Sequence, residues 1–379
     1  MDKVYSDSLK LHKKFHGKLE IKSKVSIKSK KDLSLAYTPG VAEVCRVIAK
    51  DKTLAKEYTI KRNMVAVISD GSAILGLGNL GPEAALPVME GKAVLFKEFA
   101  GVDAFPICLD TQDMEEIIKT VKYLAPVFGG INLEDISAPR CFEIEDRLKK
   151  ELSIPVMHDD QHGTATVVLA AMINALKLKK MDKSEAKVVI SGAGAAGTAV
   201  AKMLIKYGFK NVAVCDSKGL LYKERGDLAG MKLALAELTN PLAPADTSLK
   251  GVLKNADVFI GVSGPNIIGQ EEVKSMNAKP IILALANPVP EILPKEAKAG
   301  GAYIVATGRS DFPNQINNVL AFPGIFRGAL DNGVTQITDD MLVKAAENLA
   351  KYVKNLKPDN ILPQPLDKGV VKVVAKAIK

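Results

Sequence analysis

The run GAGAAG at 192–197 has the spacing G-x-G-x-x-G, and its surroundings restrict the fold of this part of the chain. The apolar run 186–190 before it predicts a strand, and the residues after it predict a helix that ends at Gly208. A second predicted strand, 212–215, leads into Asp216. Glycines in this setting let the backbone approach a pyrophosphate at a helix N-terminus, and the acid suits ribose hydroxyls. The region is therefore predicted to be a Rossmann-type dinucleotide-binding domain.

The candidate cofactor-binding residues follow from this motif and from the predicted strand ends. They are Gly192, Gly194, Ala195, Ala196, Gly197, Asp216, Ser217, Lys218 and Ser263. Further strands at 258–262, 281–285 and 303–305 are expected to complete the sheet. An Asp at the ribose position favours NAD because it repels a 2′-phosphate, but the neighbouring Lys218 could offset that repulsion and admit NADP. The sequence leaves both cofactors open.

A second alternation of strands and helices precedes this domain. Strands are predicted at 103–109, 126–132 and 154–158, with helices at 113–124 and 138–148 between them. This order calls for a parallel sheet. An earlier strand is predicted at 64–69, followed by a glycine-rich segment that is flexible or forms a hairpin, and then by a helix at 82–99.

The expected fold class is α/β, with an N-terminal parallel-sheet domain, a Rossmann-type domain and C-terminal helices. The predicted boundaries are 1–160 for a catalytic and metal-binding α/β domain and 161–330 for the NAD(P)-binding domain. Residues 331–379 are predicted to be helices that could pack back on the N-terminal domain. The apolar stretch 163–178 predicts a helix that bridges the two domains.

Two acidic pairs follow the last two strands of the first predicted sheet. Glu134-Asp135 comes after one strand and Asp159-Asp160 after the next. The carboxyl ends of parallel strands face one crevice, and carboxylates gathered there repel each other unless a cation or a shared proton relieves them. Oxygen ligands with room for water suit Mg²⁺ or Mn²⁺ rather than Zn²⁺. A solvated sheet edge explains the same residues, and the acidic pairs alone leave the two interpretations evenly balanced.

Lys92 lies in the apolar part of the predicted helix 82–99. Its amine either extends to water, which is the commoner case, or is buried with a lowered pKa. Taken alone, Tyr37 before the Pro39-Gly40 turn is an ordinary packing residue, and Asn318 in a proline-flanked loop is an ordinary cap.

Composition excludes several classes of function. The chain has 379 residues, 47% of them hydrophobic, which is enough for two domains with their own cores. The net charge of +9 comes from a lysine-rich chain without interleaved aromatic residues, which favours a solvated surface over nucleic-acid binding. The four cysteines are far apart, which is typical of reduced thiols in a cytoplasmic protein. Neither a signal peptide nor a membrane-spanning stretch is predicted.

Eight segments occur in the order known from one enzyme family, from about residue 35 to 330. They are AYTPGVA, SDGSAILGLGNLG, PVMEGKAVLFK, INLEDI, HDDQHGTA, SGAGAAG, ANPVPEI and INNVLAFPG. With these segments the chain resembles malic enzyme in its short prokaryotic form. Longer relatives carry a fused phosphotransacetylase-like domain, for which this chain is too short.

The resemblance implies a reaction and its cofactors. The family oxidises and decarboxylates L-malate to pyruvate and CO2, and it reduces NAD or NADP. A divalent cation, Mg²⁺ or Mn²⁺, chelates the substrate carboxylate and C2 hydroxyl and acts as a Lewis acid. Dimers are usual in the family, so a homodimer is expected, with L-malate as the small-molecule substrate and no nucleic-acid or membrane partner.

The resemblance also implies roles for individual residues. The residues that match the metal ligands are Glu134, Asp135 and Asp160. Those that match the catalytic groups are Lys92 as general base, Asp159 as its partner and Tyr37 as the acid that protonates C3 of enolpyruvate. Those that match substrate and cofactor contacts are Asn287 and Asn318, for the carboxylates, and Thr164, for the cofactor.

At one position the chain departs from the larger eukaryotic relatives, which carry a substrate-binding Arg in the DGxxILGLG segment. Here that position is Ala73. The substrate carboxylates are then expected to be bound by the two asparagines, by backbone amides or by Arg309.

Two other functions are compatible with parts of the pattern. Another two-domain NAD(P)-dependent dehydrogenase, of the amino-acid dehydrogenase type, also has a catalytic lysine beside a Rossmann domain but needs no acidic cluster. A non-catalytic dinucleotide-binding regulator would need only the second domain.

Overall fold

The structure is a computed structural model and describes residues 2–239 and 244–379. The helices are α1 (Asp2–Phe15), α2 (Lys30–Ala36), α3 (Val41–Lys50), α4 (Ala55–Tyr58), α5 (Pro82–Ala100), α6 (Met114–Leu124), α7 (Arg140–Glu151), α8 (Asp159–Lys179), α9 (Ala195–Tyr207), α10 (Gly230–Thr239), α11 (Leu249–Leu253), α12 (Gln270–Ser275), α13 (Pro294–Ala299), α14 (Phe322–Asn332), α15 (Asp339–Tyr352) and α16 (Gly369–Ala375). The strands are β1 (Met64–Ser69), β2 (Asp103–Cys108), β3 (Gly130–Leu133), β4 (Val156–His158), β5 (Lys187–Ser191), β6 (Asn211–Asp216), β7 (Gly219–Leu220), β8 (Val258–Gly261), β9 (Ile281–Ala284) and β10 (Ile304–Thr307). Within the two described ranges, no helix is both long and apolar enough to cross a membrane.

Residues 3–63, called the N-terminal arm below, lie on the surface. None of their side chains is buried. Large apolar side chains are nevertheless exposed along the arm: Val4, Tyr5, Leu9, Leu11, Phe15, Leu19, Ile21, Val25, Ile27, Leu33, Leu35, Tyr37, Tyr58 and Ile60. The arm is joined to α5 at Lys18, whose Nζ donates to the carbonyl of Pro87 at 2.6 Å.

The first sheet has four parallel strands in the order β2-β1-β3-β4. The β-branched run of β1 lies at its centre, and Val65, Val67 and Ile68 are fully buried. β3 and β4 are neighbours, with Leu133 opposite His158. The residues that follow these two strands therefore meet at one edge of the sheet.

The second sheet has six strands in the order β10-β9-β8-β5-β6-β7, all parallel except β7, which runs antiparallel to β6. β5 is the first of these strands in the chain, and the order reverses between β5 and β8. This reversal is the point at which an open α/β sheet forms a ligand crevice beyond its strand ends. The predicted parallel sheet and the Rossmann-type domain are both confirmed.

Helix α8 connects the two sheets, and the C-terminal helices pack on it. Asn174 of α8 is buried and donates to the carbonyls of Ala350 and Ile361, each at 2.9 Å. Helix α14 contacts α5, where the Phe96 ring lies edge-on to Phe322 with centroids 4.7 Å apart. The core is thus continuous from the first sheet across α8 to the C-terminus.

Three local predictions differ from the structure. The segment after β1 contains no hairpin and instead forms a 3-10 turn at Ile74–Gly76. The strand predicted at 126–132 is only Gly130–Leu133, because the preceding carbonyls of Ala125, Pro126 and Phe128 bind Lys61 Nζ rather than a neighbouring strand. The bridging helix begins at Asp159, four residues before the predicted start at 163, so the second acidic pair forms its first turn.

Candidate active site

The two acidic pairs lie side by side at the edge of the first sheet. Glu134 and Asp135 follow β3 directly, and Asp159 and Asp160 open helix α8 directly after β4. The backbone amide of Asp135 donates to Oδ2 of Asp160 at 2.9 Å. Acidic residues in the first turn of a helix are also favoured by its dipole.

Asp135 adopts a left-handed backbone conformation, with φ of 53°. Few residues other than glycine adopt it, and such strain persists only where the surroundings enforce it. Here the Asp135 carbonyl accepts from the amide of Ala73 at 3.0 Å, and the amide of Ser137 donates to Ser72 Oγ at 2.9 Å. The segment after β1 thus fixes the direction of the Asp135 side chain.

Three carboxylates converge closely enough to hold one metal ion. One oxygen each from Glu134, Asp135 and Asp160 lie within 4.8 Å of one another. Oδ2 of Asp135 is buried without a hydrogen-bond partner among the described residues. An all-oxygen donor set with an unsatisfied buried oxygen fits Mg²⁺ or Mn²⁺, the hard cations expected from the sequence.

Lys92 points into this cluster from α5. Its side chain is 7% exposed, and its Nζ lies 2.6 Å from Asp159 Oδ2 and 2.8 Å from Glu134 Oε1. The amine also lies 4.3 Å from the ring centre of Phe322, which adds a cation–π contact. The amine is therefore buried and does not extend to water. The lowered pKa expected for a buried lysine is not found, because its two carboxylate partners raise the pKa.

One ammonium faces four carboxylates, and the pKa values reflect that imbalance. Burial alone lowers the pKa of Lys92, but Asp159 and Glu134 outweigh it and hold the pKa above its ordinary value. Burial raises the pKa of Glu134 to about 7 and that of Asp159 to about 6. Burial and the charge of Asp160 together raise the pKa of Asp135. The cluster has an excess of negative charge that a divalent cation would relieve.

Gly163 makes room for Asp159 within α8. A Cβ at this position would collide with Oδ1 of Asp159 and would lie 3.2 Å from the Cβ of Asn318. Asn318, half-buried in the 3-10 turn Asn318–Leu320, is therefore close to the Lys92–Asp159 pair.

Asn287 lies in the exposed loop after β9, against the segment that follows β1. A Cβ at Gly76 would lie 2.8 Å from the Asn287 carbonyl oxygen. Arg309 is a neighbour of this loop, since its Nη1 donates to the carbonyl of Pro288 at 2.8 Å and its Nη2 pairs with Asp311 at 2.6 Å. Asn287 is thus a loop residue beside the first domain, and Arg309 is joined to the same loop.

Tyr37 is the predicted catalytic residue that the structure does not bring into the cluster. It caps the C-terminal end of α2 in the N-terminal arm and is 67% exposed. Lys92, in contrast, is buried.

The dinucleotide crevice has a volume of about 820 Å³. Its lining includes Gly192, Gly194, Asp216, Ser217, Lys218 and Ser263 from the predicted set, together with Ala138 and Pro139 of the first domain.

Helix α9 begins at Ala195 and Ala196 without a side-chain cap, which leaves its first amides available to a phosphate. A Cβ at Gly194 would meet nothing within 4 Å, whereas one at Gly197 would collide with the Gly192 carbonyl. Thr164, half-buried, follows Gly163 in α8.

Asp216, at the end of β6, is surrounded by cationic groups. Arg225 binds both of its oxygens, at 2.9 and 2.8 Å. Lys232 Nζ donates to Oδ2 at 2.7 Å, and the backbone amide of Lys218 donates to Oδ1 at 2.9 Å. Although burial raises it, these partners hold the pKa of Asp216 well below its ordinary value.

Comparison with known proteins places this arrangement in a family. Residues 16–149 match the family model of the malic enzyme N-terminal domain, and residues 161–378 match that of the malic enzyme NAD-binding domain. The chain belongs to the malic enzyme family. Membership sets aside both alternatives, an amino-acid dehydrogenase and a non-catalytic regulator.

Relatives within the malic enzyme family use either dinucleotide. The chain is 57% identical to the bifunctional malic/malolactic enzyme of Bacillus subtilis, over 98% of this chain and 91% of that protein. It is 46% identical to the NADP-dependent malic enzyme of Escherichia coli, over 96% of this chain but only 50% of that longer protein. The crystal structure of the NAD-dependent malic enzyme of Thermotoga maritima superposes with a TM-score of 0.94, at 51% identity and 98% coverage of both chains.

Some residues of this candidate site in the malic enzyme chain were not predicted from the sequence. Phe322 under Lys92, and Arg225 and Lys232 around Asp216, are visible only in three dimensions. Glu145 of α7, 4% exposed, carries a signal that could have been used. It lies in the same buried stripe as Cys141, Ile144 and Leu148, where an acidic residue needs partners.

Proposed function

We propose that the chain catalyses the oxidative decarboxylation of L-malate to pyruvate and CO2, with NAD⁺ or NADP⁺ as hydride acceptor. The observation that carries this proposal is the buried Lys92 amine, paired with Asp159 and Glu134 next to three convergent carboxylates. A dinucleotide domain alone would serve many oxidations. A buried base beside a cation site suits a substrate that loses both a hydroxyl proton and a carboxylate.

Lys92 is proposed to accept the C2 hydroxyl proton, for which its amine must be neutral. Its two carboxylate partners oppose this, while burial favours it. Asp159, which is fully buried, orients the amine through the 2.6 Å hydrogen bond. Phe322 covers one side of the amine and limits access of water.

Glu134, Asp135 and Asp160 are proposed to hold Mg²⁺ or Mn²⁺. When bound, the cation supplies Lewis-acid activation of substrate oxygens and neutralises charge that develops during decarboxylation. Asn287 and Asn318 are proposed to bind the substrate carboxylates through their amides. Tyr37 is proposed to donate the final proton to carbon.

A direct assay tests this function. Purified protein with L-malate, Mn²⁺ and either NAD⁺ or NADP⁺ should form NAD(P)H and pyruvate, and exhaustive chelation should stop the reaction. Lactate should be measured alongside pyruvate, since one similar protein is named as a malic/malolactic enzyme. Absence of malate-dependent NAD(P)H formation with both cofactors would contradict the proposal.

We also propose that both NAD⁺ and NADP⁺ are accepted. A bare Asp at the ribose position repels a 2′-phosphate. Here Arg225 and Lys232 neutralise Asp216, and the Lys232 and Lys218 side chains are 47% and 69% exposed. Two cations therefore stand next to the position that a 2′-phosphate would occupy. Comparable kcat/KM values for the two cofactors would support this, and exclusive use of NAD⁺ would contradict it.

We propose further that the N-terminal arm packs against a second copy of the chain in a homodimer. The arm has no buried side chain although it exposes more than a dozen large apolar ones, which is unusual for a free surface. The exposed Tyr37 belongs to the same arm, so a second copy would bring it into reach of a buried site. Sedimentation should show a dimer, and a Leu9→Glu/Leu35→Glu variant should shift to monomer. A monomeric wild type would contradict this proposal.

A further inference from the structure

Glu145 belongs to helix α7, and its carboxylate reaches across to the turn that carries the second acidic pair. Oε1 accepts from the backbone amide of His158 at 3.0 Å, and Oε2 accepts from Gln161 Nε2 at 3.0 Å. His162 Nε2 lies 2.9 Å from the same carboxylate. These partners stand directly before and directly after Asp159-Asp160.

A fourth donor completes the arrangement. Lys149, one turn along α7, places its Nζ 2.7 Å from Oε1. A carboxylate offers about four acceptor positions, so the capacity of Glu145 is filled. Although burial raises it, His162 and Lys149 hold the pKa of Glu145 well below its ordinary value, so the group is charged.

Helix α7 also begins shortly after the first acidic pair, since Arg140 follows Asp135 by one short loop. Glu145 therefore joins the element that comes after Glu134-Asp135 to the turn that contains Asp160. No other described side chain donates to or accepts from both flanks of that turn. The amide of Asp135 can reach Asp160 only while these two elements keep this spacing.

We propose that Glu145 is a positioning residue for the cation site, and that it sets the distance between Asp160 and the Glu134-Asp135 pair. It does not touch the cation or the substrate. It acts by holding the backbone before Asp159 and the side chains after Asp160. Partners of this kind behind metal ligands typically contribute 10- to 100-fold in metal affinity, so about a tenfold effect is expected. The inference rests on the cation site of the proposed function.

The test is a Mn²⁺ titration of the full-length protein followed by electron paramagnetic resonance, with NADH affinity and Tm measured on the same samples. Glu145→Gln keeps the side-chain shape but turns one acceptor into a donor that faces other donors. Its Kd for Mn²⁺ should rise by about tenfold, while the Kd for NADH stays unchanged. Glu143→Gln is the matched control, because Glu143 lies on the same helix with its side chain 58% exposed. It should leave both constants at their wild-type values.

A purely structural role for Glu145 predicts a different result. In that case Glu145→Gln would lower Tm and weaken the binding of Mn²⁺ and NADH together, or it would lower Tm and leave the Mn²⁺ affinity unchanged. Either result would overturn the inference. Gln161→Met serves if Glu145→Gln fails to fold, since it removes one partner and keeps the side-chain length. It should raise the Mn²⁺ Kd by about threefold, and an unchanged Kd would overturn the inference.

The same titration separates this inference from the proposed function. Wild-type protein that binds no Mn²⁺ would overturn both. Wild-type binding that is lost in Asp160→Ala but unchanged in Glu145→Gln would support the cation site and overturn the positioning role alone.

Discussion

The backbone amide of Asp135 donates a 2.9 Å hydrogen bond to Oδ2 of Asp160, although the two residues are 25 positions apart. This bond joins the two acidic pairs. Its donor lies in the left-handed backbone of Asp135, and its acceptor lies in the first turn of α8. The cluster is held together by bonds within the chain itself. Preorganisation of this kind is what a catalytic cation site needs, since ordering the ligands would otherwise reduce affinity.

Lys92→Ala should reduce malate oxidation by about 10²- to 10⁴-fold, the range expected for loss of a general base. The measurement is kcat with malate, Mn²⁺ and the preferred cofactor. Lys97→Ala on the same helix is the control, because the Lys97 side chain is 59% exposed and, among the described residues, pairs only with Asp103. Near-normal turnover of Lys92→Ala would mean that another group takes the proton.

Tyr37→Phe should impair the last proton transfer more than the redox step. Overall turnover of malate to pyruvate is expected to fall, while reduction of oxaloacetate by NAD(P)H is largely retained. Tyr58→Phe, on another exposed tyrosine of the arm, should affect neither reaction. Equal losses in both reactions would show that Tyr37 is not specific to the final step.

Mixed dimers should reveal whether Tyr37 serves the partner's site. We expect Tyr37→Phe and Lys92→Ala chains, each weakly active alone, to recover about a quarter of wild-type activity when co-expressed, because one site of each mixed dimer would then be intact. Mass spectrometry would verify that mixed dimers form. Mixed dimers without recovered activity would place both residues in the site of one chain.

Gly163→Ala should destabilise the protein, contrary to the usual effect of this substitution. Alanine in a helix is normally about 0.5–1 kcal/mol better than glycine. Here the methyl group would collide with Asp159, and such overpacking costs about 1–3 kcal/mol. The free energy of unfolding, measured by chemical denaturation, and kcat should both be reduced. Gly91→Ala in α5 is the control, since its Cβ would meet only Lys18 Nζ, at 3.5 Å. A more stable and fully active Gly163→Ala variant would contradict this packing.

Lys232→Ala should weaken NADPH binding by about tenfold and leave NADH binding nearly unchanged, because only the former carries a 2′-phosphate. Fluorescence titration with each reduced cofactor measures both constants. Lys223→Ala, an exposed lysine in the same loop region, should change neither. Equal weakening of both cofactors would show that Lys232 acts only by holding Asp216.

Much of the fold could be predicted from local sequence patterns. The β-branched run of β1 predicts that strand to the residue, and the motif at 192–197 predicts the Rossmann domain, because both signals depend only on neighbouring residues. The error at 126–132 has a non-local cause, since Lys61, distant in sequence, binds the carbonyls that a strand would have used. The start of α8 was predicted too late because of Asp159, Asp160 and Gly163. Asp and Gly disfavour a helix interior, but Asp is favourable in a first turn.

The candidate site was predictable in its residue types and less so in its geometry. Periodicity could not decide whether Lys92 is buried, although Met89, Ala93 and Phe96 mark the buried stripe of the helix that contains it. Without the family resemblance, the sequence also could not assign different roles to Asp159 and Asp160. The structure separates them by direction, since Asp159 meets the amine and Asp160 meets the Asp135 amide.

Helix α8 runs for 21 residues, or about 30 Å, without a break. Asp160 stands at its first turn, and Lys179 at its last turn is bound to Asp257 beside β5 and β8 at 2.8 Å. The helix therefore connects the two sheets as one unbroken element. A tilt of the second sheet against the first would therefore displace Asp160 at the far end of the helix.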